Sequence, residues 1–170
     1  EDDYGYDVES VAHKGDTIED MAYVQCDLTK TARMCEKLLR RGTIPKAILL
    51  SGGGNDVAGD EFAMSLNHAC SPIAGFSNDV LTGVIDQRIR VAYISILSAL
   101  TEMCERRFGC RVPILVHGYD YPVPDGRGFL GGCGFLPGPW LQPGFHQKGY
   151  EDRARCTVMM KELIDRFNQM

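Results

Sequence analysis

The sequence predicts an α/β fold: a doubly wound parallel sheet with helices on both faces, three layers in all. Three observations predict it. Short apolar runs alternate with longer segments whose apolar residues recur at helical spacing. The runs end in small, polar turns, as strands do where they hand the chain to a helix or a ligand. The chain has 170 residues, 44% of them hydrophobic, which is enough for one domain with a real core and short of a second.

The elements follow in order. Residues 6–11 (Tyr-Asp-Val-Glu-Ser-Val) alternate apolar and polar between Gly5 and Gly15 and are expected as a short strand. Gly15-Asp16-Thr17 then opens a helix. Asp16 or Thr17 can cap it, Asp20 can reach back to the cap, and Ile18, Met21, Ala22, Leu28, Ala32, Cys35, Leu38 and Leu39 continue the pattern until Gly42 stops it. Residues 44–50 form the next expected strand, entered through Pro45 at its edge. A short helix is expected over residues 61–68, followed by a loop through Pro72 and Gly75. Ile85, Ile89, Ala92, Tyr93, Ile96, Leu97, Leu100 and Cys104 mark a long amphipathic helix over residues 82–108, closed by Gly109. Residues 112–116 read as a third buried strand.

Residues 118–149 are rich in glycine, proline and aromatic side chains, among them Tyr119, Tyr121, Phe129, Phe135, Phe145 and the single tryptophan, Trp140. A loop of this length in a compact domain is usually functional, and its apolar content predicts an ordered cover over a site. A final helix is expected over residues 150–170. Three strands are few for a doubly wound sheet, and the pattern opens on what reads as a second element and ends inside a helix. The expectation is one α/β domain over residues 1–170 that lacks its first and last elements.

Eighteen Lys and Arg against 23 Asp and Glu give a net charge of −5, so a nucleic-acid surface is not expected. The basic pairs Arg40-Arg41 and Arg106-Arg107 fall near helix C-termini, where the helix dipole accounts for them. Seven cysteines, with no Cys-x-x-Cys and no histidine at zinc spacing, predict neither a disulfide framework nor a metal site, and point to a reducing, cytoplasmic setting. No apolar run approaches the length of a membrane span. Asp56, Asp60 and Glu61 lack the alternating oxygen-ligand spacing of a calcium loop, so neither a metal nor an organic cofactor is expected.

The chemistry concentrates at Ala47-Ile48-Leu49-Leu50-Ser51-Gly52-Gly53-Gly54-Asn55-Asp56, an apolar run that ends in four small residues and an Asn-Asp pair. Glycines there let backbone N–H groups approach a ligand, and the Asn amide is a neutral donor that can be aimed at developing negative charge. His117, Tyr119 and Asp120 follow the third strand and are candidate substrate contacts, with Tyr121 and Trp140 as apolar contacts in the long loop.

Gly15-Asp16-Thr17 after one strand and Gly53-Gly54-Asn55-Asp56 after the next resemble the second and third conserved blocks of the GDSL-type SGNH hydrolases. His117-Gly118-Tyr119-Asp120-Tyr121-Pro122-Val123-Pro124-Asp125-Gly126 looks like a stretch found in an uncharacterised bacterial branch of that family. The resemblance implies a flavodoxin-like sheet and a serine ester hydrolase acting on a small-molecule ester. It also implies an oxyanion hole made by the Gly15 N–H and the Asn55 side chain, with Gly54 and Asp56 supporting the turn. The family's nucleophile lies on a Gly-Asp-Ser turn and its acid and base on an Asp-x-x-His turn. Neither is found in this sequence, so the resemblance implies that those groups lie outside these 170 residues and that this chain alone is inactive. Strands lacking their central neighbour would have open edges, at which a second copy could pair.

Two other readings compete. Gly52, Gly53 and Gly54 could cradle a phosphate as a nucleotide-binding module, although the last Gly of the dinucleotide fingerprint and the Gly-Lys-Ser/Thr of a P-loop are both missing. Ser51, His117 and Asp120 could form a triad of their own, although Ser51 is not in Gly-x-Ser-x-Gly.

Overall fold

The computed structural model describes residues 5–128 and 138–170. Phe129, Cys133 and Phe135 of the long loop lie outside the described residues. The chain forms two compact units, one made of the residues up to Gly52 with Ala92–Val116, the other of Gly53–Val91 with His117–Met170. The fold is mixed helix and strand, with a small parallel sheet.

The first unit begins with a segment that the sequence predicts wrongly. Residues 6–11 form no strand, and Tyr6 and Val8 are exposed. Alternation makes a strand only where a neighbour supplies hydrogen bonds, and here the segment is held by charge: Glu9 binds Lys37 at 2.9 Å and Arg41 at 2.7 Å, and Lys46 sits over the Tyr6 ring. Helix α1 (Ile18–Tyr23) starts as expected, with the Thr17 hydroxyl accepting from the Asp20 N–H and the Asp20 carboxylate accepting from the Thr17 N–H. The expected single helix is two. Val24 takes an extended conformation (φ −80°, ψ 113°), ending α1 and beginning α2 (Gln25–Arg40). A β-branched side chain tolerates that backbone well, and the apolar phase slips there, from Ala22 to Leu28. Gly42, at φ +68°, stops α2.

Strand β1 (Ile48–Leu50) pairs in parallel with β4 (Ile114–Val116), in the register Ile48 with Ile114, Leu49 with Leu115 and Leu50 with Val116. Both strands are shorter than the apolar runs that predict them. Proline fixes φ and has no N–H to give a ladder, and Pro45 and Pro113 each stand before the paired residues; the ladder begins where the Ile48 N–H donates to the Pro113 carbonyl at 2.8 Å. Helix α4 (Arg90–Phe108) buries Ala92, Tyr93, Ile96, Leu100 and Cys104, a single face at three- and four-residue spacing. Its Tyr93 hydroxyl donates to the Gly52 carbonyl at 2.6 Å, which satisfies the backbone where β1 runs out. Gly52 lies against Ile18 and Met21, so close that a Cβ would come within 2.7 Å of Met21.

In the second unit, residues 60–68 hold a 3₁₀ turn (Asp60–Ser65) and the strand β2 (Leu66–Asn67), which pairs antiparallel with β3 (Gly75–Phe76), rather than the expected helix. Phe62, Phe145 and Tyr150 stack edge to face beneath them, and the Tyr150 hydroxyl accepts from the Gly75 N–H while donating to the Asn67 carbonyl. The long helical run begins earlier than expected, with α3 (Asn78–Leu81), and passes through a π-helical stretch, Thr82–Ile89, before α4. Helices α5 (Gln142–Gln147) and α6 (Arg153–Asn168) complete the unit. Helix α6 is capped by Asp152 and buries Cys156, Met159, Met160, Leu163, Ile164 and Phe167. Among the described residues, no helix is long and apolar enough to cross a membrane.

Candidate functional site

Just beyond β1 the chain makes a tight, helix-like turn. The Asp56 N–H donates to the Gly53 carbonyl at 3.2 Å and the Ala58 N–H to the Gly54 carbonyl at 3.2 Å. Gly53 sits at φ +95°, where a side chain is strained, and a Cβ there would lie 2.3 Å from Phe167 Cζ, so only glycine fits. Asn55 is exposed at the apex of the turn, between half-buried Gly54 and Asp56, which is 3% exposed. Asp56 is the one buried charged side chain among the described residues, and its carbonyl accepts from Arg88 at 3.4 Å.

Two other segments pack on this turn. The Gly54 N–H donates to the Tyr119 hydroxyl at 2.9 Å. The Tyr119 ring meets the edge of Phe167 with centroids 5.3 Å apart, and His117 leans on Tyr119 at 5.1 Å. Asn168, in the last turn of α6, fixes the Tyr119 backbone from both sides: its Oδ1 accepts from the Tyr119 N–H and its Nδ2 donates to the Tyr119 carbonyl, each at 2.9 Å. Gly118 allows that approach, since a Cβ there would already be 3.0 Å from Asn168 Oδ1. The turn, the segment from His117 to Tyr119, and the end of α6 therefore form one assembly.

Gly15 belongs to the first unit and Asn55 to the second. Gly15 is exposed, at φ +98°, with nothing within 4 Å of a notional Cβ. Asp120 accepts from the Tyr121 N–H at 2.7 Å. The Tyr121 hydroxyl donates to Asp165, and Lys161 lies over its ring at 4.4 Å, so Tyr121 is part of a polar cluster on α6. Trp140 is partly exposed and its carbonyl accepts from the Gly59 N–H at 3.1 Å. Ser51 is exposed, and His117 Nδ1 lies 2.9 Å from the Gly118 carbonyl. Among the described residues, no group of three or more His, Cys, Asp or Glu is placed to hold a metal.

Phe167 and Asn168 were not found by sequence reasoning. Phe167 continues the apolar stripe of Met160, Leu163 and Ile164, so its pattern marks core and nothing more. Asn168 carried no signal at all, because its role depends on a segment 49 residues away.

Comparison with protein-family models, with curated proteins and with solved structures finds no match to this chain.

Proposed function

We propose that this chain supplies the oxyanion-stabilising block of a serine ester hydrolase of SGNH (GDSL) type, within a flavodoxin-like parallel sheet. The observation that carries the reading is that exposed Asn55 stands between Gly54 and buried Asp56 on a turn closed by its own backbone hydrogen bonds. A donor fixed in advance stabilises negative charge without reorganising at the moment of reaction. As a serine oxygen attacks an ester carbonyl, the carbonyl oxygen takes up the charge and Asn55 Nδ2 donates to it. The parallel register of β1 and β4 supports the fold assignment. The sequence has no Gly-Asp-Ser and no Asp-x-x-His, so this reading assigns neither the attacking serine nor the Asp/His pair to a residue of this chain.

A phosphate cradle at Gly52, Gly53 and Gly54 fits less well. The Gly54 N–H is already given to Tyr119. The reading extends to self-association by a second copy, supported by Leu49 and Leu115, cross-strand partners that are 75% and 55% exposed.

The test is hydrolysis of p-nitrophenyl acetate and butyrate by this chain and by a form extended at both ends to include any upstream Gly-Asp-Ser and any downstream Asp-x-x-His turn. Activity is expected in the extended form, with Asn55→Ala lowering kcat by about 10²–10³ and KM little changed. An Asn55→Ala protein of undiminished kcat would remove the reading.

A further inference from the structure

The second unit contains a cavity of about 240 Å³. Its apolar wall includes Phe62, Val80, Leu81, Val84 and Leu163, and its charged lining residues are Asp56 and Arg88. It is partly open to the surface and has room for about eight waters at roughly 30 Å³ each. Val80, Leu81, Val84 and Arg88 reach it from one side of the helical run, and Val84 and Arg88 lie in the π-helical stretch Thr82–Ile89. Such stretches are rare and concentrate at functional sites, since a widened turn gives up packing that an ordinary helix would keep. Its lining includes Asp56, the residue that follows Asn55. An apolar hollow with a few polar groups in its lining suits a ligand that has a polar head and an apolar tail.

We infer that this cavity holds the acyl chain of the ester, and that it selects unbranched chains of about four to six carbons over acetyl. The inference rests on the ester-hydrolase reading: the ester carbonyl lies at Asn55 and the tail runs past Asp56 along Val84 and Leu163. Each methylene buried there tightens binding by about fourfold, and the gain ends when the hollow is full.

The experiment is binding of methyl acetate, methyl butyrate, methyl hexanoate and methyl decanoate to this chain, followed by ligand-observed NMR, in the unaltered protein, Val84→Phe, Val80→Phe and Asn55→Ala. Val80 and Val84 are only half-buried, so a larger side chain at either is accommodated at the cavity wall. Affinity should rise from acetate to hexanoate and level off before decanoate. Val84→Phe and Val80→Phe should each weaken hexanoate by at least about tenfold while leaving acetate unchanged. Equal affinity across the series, or hexanoate binding that neither substitution weakens, would overturn the inference. Asn55→Ala separates it from the reading beneath it. Should that substitution fail to lower hydrolysis by the extended form, the hydrolase reading fails, whatever the chain-length series shows; should it lower hydrolysis while the series is flat, only the acyl pocket fails.

Discussion

The Tyr119 hydroxyl accepts the Gly54 N–H at 2.9 Å, joining the glycine turn to a segment 65 residues away. Tyr119→Phe keeps the ring against Phe167 and deletes only the acceptor. A part-buried N–H that loses its partner costs about 1 kcal/mol net, so the urea midpoint should fall by that energy divided by the slope, with the slope itself unchanged. An unchanged midpoint would mean that the bond contributes nothing to holding the turn.

Gly15 and Gly53 have nearly the same φ, +98° and +95°, in opposite surroundings. Alanine at Gly15 meets open space, and the expected loss is the conformational cost alone, about 1–2 kcal/mol. Alanine at Gly53 adds a collision with the Phe167 ring, for a total of roughly 2–5 kcal/mol. Combining Gly53→Ala with Phe167→Leu should recover part of the second cost and none of the first, a coupling that a double-mutant cycle reads directly.

These contrasts also show which features the sequence carries. The Thr17–Asp20 capping box and the stops at Gly42 and Gly109 are local, decided within a few residues, and are read correctly from type and spacing. Residues 6–11 have the alternation of a strand without its ladder, because pairing depends on a neighbour that a local pattern cannot specify. At the site, the glycines and Asn55 were legible as a turn. Their supports, Tyr119, Phe167 and Asn168, were illegible as supports, since the contacts cross long stretches of chain and involve residue types that also serve as ordinary core or surface.

Six cysteines of the described residues are free thiols, and burial divides them. Burial and the neighbouring Cys35 push the Cys104 thiol up to about 11, and burial raises Cys35 and Cys156 as well. Because the thiolate is the reactive form, brief iodoacetamide treatment of the native protein at neutral pH should label Cys26, Cys70 and Cys110 first. Cys35, Cys104 and Cys156 should appear in the peptide map only after denaturant is added. Early labelling of Cys104 would show that its surroundings open readily.

Leu49 and Leu115 stand opposite each other on an exposed face of a parallel pair, a kind of sheet that proteins ordinarily cover on both faces. If a second copy covers this pair, sedimentation should show association that weakens on Leu49→Lys, with the helical circular dichroism unchanged. A monomer at every concentration would end that part of the functional reading.

Arg166 on α6 ties two residues of the π-helical stretch: its Nη2 lies 2.6 Å from the Thr82 hydroxyl and 2.5 Å from Asp86 Oδ2. The Arg166 hydrogen bond lowers the Asp86 pKa below its ordinary 3.8, outweighing the opposing effect of burial, and the Arg166 and Arg90 charges add to the lowering. A carboxyl whose folded pKa is depressed stabilises the fold fully above its unfolded pKa, and loses that contribution as pH falls through the folded value. Asp86 therefore adds to acid sensitivity only below about pH 5, and most steeply below its ordinary value. Asp86→Asn keeps the shape and removes the titration. The variant should be less stable than the parent at neutral pH and approach it as the pH drops to about 2, the two curves converging in that window. Curves that stay parallel from neutral to acid would mean that the Asp86–Arg166 pair does not anchor α6 to the widened helix.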